Sequence, residues 1–160
     1  MYKFLIDSDA LIKISKAGFL GTLTENFDVL ITKEIYEETV IEGKTGFYQD
    51  ADKIESLVQN GKIKILKVRH KKNSNLNFGK GELSILNIHK KDSLIITDDL
   101  RFTSYMQKEN IKSVSSAHLL LTLVKKGKIN KNKAYYYLEK LKPFIRKEVY
   151  KLVKNDIRSE

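Results

Sequence analysis

The sequence predicts an α/β fold of Rossmann-like, three-layer type: a central, mostly parallel sheet flanked by helices on both faces, with further helices at the C-terminus. Two observations predict it. Short apolar runs alternate with helix-like stretches from residue 2 to residue 126, the order that builds parallel sheets from crossover units. Two of the runs, Tyr2–Ile6 and Leu94–Thr97, lead directly into acidic residues, and the carboxyl ends of parallel strands are where such sheets gather ligand-binding groups.

The elements follow in order. Residues 2–6 read as a buried strand, after which Ser8 or Asp9 is expected to cap a helix with Leu11, Ile12 and Ile14 on its apolar face, ending near Gly18. Phe19, Leu20 and Leu23 form a second short helical piece. Val29–Ile31 is a strand, and Thr32 caps a helix led by Ile35 and Tyr36 that Gly43 stops. Ala51, Ile54, Leu57 and Val58 recur at helical spacing within 45–60, closed by Asn60-Gly61. A strand follows at 63–66 and a polar, lysine-rich loop at His70–Asn77. Helix 80–90 places Leu83, Leu86 and Ile85 inward, and strand 93–97, helix 99–109, a short strand at 112–114 and helix 116–126 complete the alternation. The tail, from Ile129 to about Asn155, reads as two amphipathic helices packed on the core, the second begun by the only proline, Pro143. The expected organisation is a domain over 1–126 and a basic helical extension over 127–160.

Composition excludes several classes. At 160 residues, 41% hydrophobic and 31% charged, the chain is long and apolar enough to bury a core rather than remain disordered. It has no cysteine, which removes disulfides and thiolate zinc sites. Asp7 and Asp9 interrupt the N-terminal apolar run, and no stretch reaches the roughly 18 apolar residues of a membrane span, so a cytoplasmic location is expected. The net charge of +10 is unevenly distributed: residues 1–60 hold six Lys and Arg against eleven Asp and Glu, whereas the remainder holds 24 against 9. A basic surface beside a carboxylate pocket suits a polyanionic substrate. Carboxylates gathered at strand ends repel one another unless a hard cation neutralises them.

Four motifs occur in succession: Phe4-Leu5-Ile6-Asp7-Ser8-Asp9-Ala10-Leu11-Ile12, Ile35-Tyr36-Glu37-Glu38, Gly79-Lys80-Gly81-Glu82-Leu83 and Ile95-Ile96-Thr97-Asp98-Asp99-Leu100-Arg101-Phe102. In this order and spacing they resemble the PIN-domain family, small α/β nucleases with three or four acidic metal-site residues, many of them ribonuclease toxins. The resemblance covers residues 2–125. It implies Asp7 as the first acid, Glu38 or its neighbour Glu37 as the second, Glu82 as the third, where the family more often has aspartate, and Asp99, with Asp98 beside it, as the fourth. Asp9 falls where the family often has a small polar residue and is an alternative helix cap. Asp7, Glu38, Glu82 and Asp99 are thus the expected catalytic set, and Asp7, Glu82, Asp98 and Asp99 the expected ligands of Mg²⁺ or Mn²⁺. Ser8 and Thr97 are expected to orient them.

The resemblance further implies RNA as substrate in preference to DNA, a small antitoxin protein as partner, and a homodimer. Two other readings compete. Asp7-Ser8-Asp9 also resembles the opening of haloacid-dehalogenase-like phosphatases, although Ala10-Leu11 stands where those enzymes usually have glycine and a small residue. A non-catalytic nucleic-acid- or partner-binding protein could keep the same fold and basic surface. The histidines His70, His89 and His118 show no ligand spacing.

Overall fold

The computed structural model describes residues 2–46, 48–69 and 75–160. Among the described residues, five strands, β1 (Lys3–Ile6), β2 (Asp28–Thr32), β3 (Ile63–Leu66), β4 (Ser93–Ile96) and β5 (Ser113–Val114), form one parallel sheet in the order β3-β2-β1-β4-β5. The middle of the sheet is apolar because helices cover both faces; Phe4, Leu5, Ile6, Ile31, Ile95 and Ile96 are almost wholly buried, while polar residues such as Lys3, Asp28 and Ser93 begin the strands. The chain moves outward from β1 to β2 and β3, then crosses back to place β4 on the other side of β1. That reversal puts the topological switch between β1 and β4, paired in register from Lys3 opposite Ser93 to Ile6 opposite Ile96.

The helices are α1 (Ser8–Ala17), α2 (Leu20–Asn26), α3 (Lys33–Tyr36), α4 (Glu42–Thr45), α5 (Gln49–Gln59), α6 (Lys80–Ile88), α7 (Leu100–Lys108), α8 (Ser116–Lys125), α9 (Lys131–Leu141) and α10 (Lys147–Ser159). A π-helical segment, Glu37–Ile41, joins α3 to α4. α9 packs against α1 and α8, and α10 against α8 and α9, so that Leu138, Leu141, Val153 and Ile157 belong to the same core cluster as Phe4 and Leu11.

Several expectations are corrected. Gly43 does not stop the helix after β2, which runs on to Thr45. A Cβ at Gly43 would stand 3.1 Å from that of Ala51, so this glycine allows α5 to approach rather than ending α4. The helix expected over 45–60 begins at Gln49. In α6, Ile85 is fully buried whereas Leu83 lies outside the core cluster. The physical reason is a buried hydroxyl pair, Ser84 Oγ to Thr32 Oγ1 at 2.6 Å, which turns the Gly81-Ser84-Ile85 face toward β2. Pro143 sits in a 3₁₀ turn, Lys142–Phe144, and the last helix starts only at Lys147. Of the expected loop at His70–Asn77, residues 70–74 lie outside the described residues.

Candidate active site

Asp7 follows β1 directly. Its amide donates to the Ile96 carbonyl at 3.0 Å, and its Oδ1 accepts from the Ala10 amide at 2.8 Å, making Asp7 the N-cap of α1 in place of the expected Ser8 or Asp9. An aspartate cap satisfies one of the orphan amides of the first helical turn and complements its positive end. The residue is only 5% exposed. Burial pushes its carboxyl up to about 7, opposed by hydrogen bonds from Thr97 and the Ala10 amide and reinforced by the charges of Asp98 and Asp9.

Thr97, at the end of β4, links the two central strands. Its hydroxyl accepts from the Asp99 amide at 3.1 Å and hydrogen-bonds the Asp7 carboxylate. Asp99 then caps α7, its Oδ1 accepting from the Phe102 amide at 2.8 Å. Its side chain is otherwise exposed on the cleft.

Asp98 has a different role from its neighbour. Its Oδ1 accepts from the Ser116 amide at 2.9 Å and its Oδ2 from the Ser116 hydroxyl at 2.6 Å, which ties the end of β4 to the start of α8. Lys13 stands 3.6 Å from the same Oδ2 and 2.6 Å from Asp9 Oδ2, bridging the two acids from α1. Asp9 is exposed on the outer side of the first turn, paired with that lysine.

The adjacent glutamates also separate. Ile35 faces the core, and Glu38, three residues on, shares that side of the helix and accepts a hydrogen bond from the Ser8 hydroxyl. Glu37 points outward to Lys33 at 3.3 Å. Gly81 of α6 makes room for the Glu38 head group: a Cβ there would lie 3.2 and 3.3 Å from its two oxygens. Glu82 sits in the first turn of α6, its carboxylate lying back over Gly79 so that Oε2 is 2.6 Å from where a Cβ would stand.

Asp7, Glu38, Glu82 and Asp99, contributed by four separate segments, all line one cleft of about 750 Å³ at the carboxyl ends of β1 and β4, with Ser8, Asp9, Thr97 and Asp98. Sequence reasoning missed other lining residues: Lys13, His118, whose Nδ1 lies 2.7 Å from Ser115 Oγ, and Phe144, Ile145, Arg146 and Val149 from the C-terminal hairpin that α9 and α10 form around the 3₁₀ turn. The Lys13 signal was available, since it stands four residues after Asp9 on one helix face. Nothing local signalled the hairpin.

A family model described as PIN domain matches residues 3–158. The chain belongs to the PIN-domain family. Among solved structures, this PIN-domain chain is similar to a PilT N-terminus domain protein from the hyperthermophilic archaeon Sulfolobus solfataricus P2, with a TM-score of 0.54 and 18% identity over 75% of this chain and 92% of the other. That likeness shows the shared α/β fold. Among curated proteins no match is found. In this PIN domain no described helix is long and apolar enough to cross a membrane.

Proposed function

We propose that this PIN-domain protein is a divalent-cation-dependent endoribonuclease whose site is the carboxylate cleft. The observation that carries the reading is the convergence of Asp7, Glu38, Glu82 and Asp99 on one cleft at the β1/β4 switch point, with the most buried of them, Asp7, short of compensating positive charge. An all-oxygen donor set of this kind suits a hard cation such as Mg²⁺ or Mn²⁺. Among the described residues, no three acidic side chains already stand close enough together to hold one. Glu82 would have to leave its position over Gly79 to share a cation with Asp7 and Asp99, whereas Glu38 could stay with the Ser8 hydroxyl as an outer member.

In this reading Asp7 and Asp99 would hold the cation directly, with Glu82 as a further ligand or water acceptor and Glu38 as an outer member. The cation, when bound, lowers the pKa of water and offsets charge on the phosphoryl group. The protein's own share is orientation. Thr97 fixes the Asp7 carboxylate and, through the Asp99 amide, the start of α7. Asp98 serves as the anchor to Ser116. Lys13 offsets the charge of Asp9 and Asp98, which lowers the cost of concentrating acids in one cleft.

The phosphatase reading loses its ground with the family assignment. Asp9, its expected acid/base, is moreover taken up by Lys13 on the exposed side of α1. The binding-protein reading draws support from the lack of a ready-made cation cage among the described residues. The toxin role, an antitoxin segment across the cleft and a dimer are extensions of the nuclease reading.

Cleavage of end-labelled, mixed-sequence RNA with Mn²⁺ or Mg²⁺, beside EDTA and Asp7→Asn controls, tests the proposal. Cutting that needs the cation and disappears in Asp7→Asn is the expected result. RNA that is bound but intact with either metal gives first place to the binding-protein reading.

A further inference from the structure

We propose that the C-terminal hairpin carries a nucleotide subsite, in which the Arg146 guanidinium takes a phosphate and the Phe144 ring takes a base of the strand led to the carboxylates. This rests on the nuclease reading of the cleft and adds to it the residues that hold the substrate beside the reacting bond.

Three observations carry it. Arg146 lines the same cleft as six carboxylates, those of Asp7, Asp9, Glu38, Glu82, Asp98 and Asp99, yet among the described residues it forms no ion pair or hydrogen bond with any of them. An exposed arginine without an acidic partner, lining a cleft rich in carboxylates, suits a ligand that is itself anionic, because its planar fork matches two phosphate oxygens. Second, Phe144 keeps 40% of its surface exposed, although it lies in a chain that buries most of its phenylalanines, and Ile145 and Val149 flank it to make an apolar shelf in the cleft. Third, the ring already attracts a cation: Lys16 of α1, which is not among the cleft-lining residues, stands over it 5.3 Å from its centroid, and the 3₁₀ turn containing Pro143 sets the backbone that carries it. An exposed aromatic ring two residues from an unpaired guanidinium in one cleft suits unpaired bases, whose π-faces are open, whereas a duplex keeps its base faces stacked.

The test is fluorescence anisotropy with a labelled octanucleotide, as single-stranded RNA, as single-stranded DNA of the same sequence and as a blunt RNA duplex. It uses the full chain, in EDTA and again with Ca²⁺, over a salt series. Phe144→Leu keeps an apolar side chain but removes the aromatic face, and is expected to weaken both single strands about tenfold while leaving the duplex unchanged. Arg146→Ala is expected to weaken all three ligands and to reduce the salt slope by about one, whereas Arg146→Lys restores the slope but not the full affinity. Circular dichroism melting of each variant confirms that the fold is retained. Affinities and slopes within twofold of wild type in both variants, or no measurable binding by the wild type, overturn the subsite. If cleavage by the wild type fails but the variants weaken metal-free binding as described, the subsite stands and the nuclease reading falls. Intact cleavage with unaltered binding in the variants gives the reverse.

Discussion

Replacing Asp7 with asparagine is predicted to stabilise the cation-free protein at pH 8 while abolishing its activity. The native carboxyl titrates at about 7 against 3.8 for the exposed side chain, a rise of roughly three units, and at 1.36 kcal/mol per unit the ionised form costs on the order of 4 kcal/mol of stability. Because the native pKa is the higher one, the folded state binds more protons than the unfolded chain between pH 4 and 7. Stability therefore falls as pH rises through that window and levels off above 7. Asparagine does not ionise and keeps an oxygen to accept from the Ala10 amide, so the helix cap survives.

Urea unfolding followed by circular dichroism, in EDTA from pH 5 to 8.5, measures both proteins. The difference between them should grow with pH up to about 7, with the variant ahead at pH 8 by on the order of 4 kcal/mol, or a Tm gain of about 10 °C. Mn²⁺ should then restore the wild type and leave the variant unchanged, since a ligand stabilises only the state that binds it. A variant no more stable than wild type at pH 8, or a difference independent of pH, would refute the argument that burial leaves Asp7 uncompensated.

The two aspartates after β4 should separate under mutation. Asp98→Ala leaves the Ser116 amide and hydroxyl without their partner and Lys13 with Asp9 alone, and should cost about 2–3 kcal/mol by denaturant unfolding. Asp99→Asn preserves the α7 cap, so stability should stay within about 0.5 kcal/mol while RNA cleavage falls beyond the roughly 10–100-fold typical of an outer partner's loss. Equal destabilisation by both would contradict the division of roles. Gly81→Ala pushes a methyl against both oxygens of Glu38 and should lower cleavage about tenfold. Its melting temperature should barely move, because the helix preference of alanine, worth up to about 1 kcal/mol, offsets the crowding; unchanged cleavage would remove Glu38 from the site.

Much of the fold was legible because its signals are local. Apolar runs bounded by caps marked all five strands within a residue or two, and Thr32 was readable as a helix start from its hydroxyl. Where the reading went astray, a neighbour distant in sequence had decided the matter. Gly43 looked like a stop until Ala51 supplied a reason for its missing side chain. Leu83 looked buried until the Thr32–Ser84 pair rotated its helix. Between Glu37 and Glu38, the position of the buried Ile35 three residues before Glu38 favours the latter.

The alternation of strands and helices, the points where apolar runs give way to acids, and the family to which such a pattern belongs are all legible in the order of residues. These follow from periodicity and capping, which act within a few residues of one another. Only in the packed fold does β4 return to the far side of β1, does Ser116 take both oxygens of Asp98 while Asp99 faces the cleft, and does a hairpin far beyond Asp99 in the chain bring Phe144 and Arg146 to the same cleft. Those outcomes depend on which surfaces bury each other most completely, a long-range choice that no local pattern encodes.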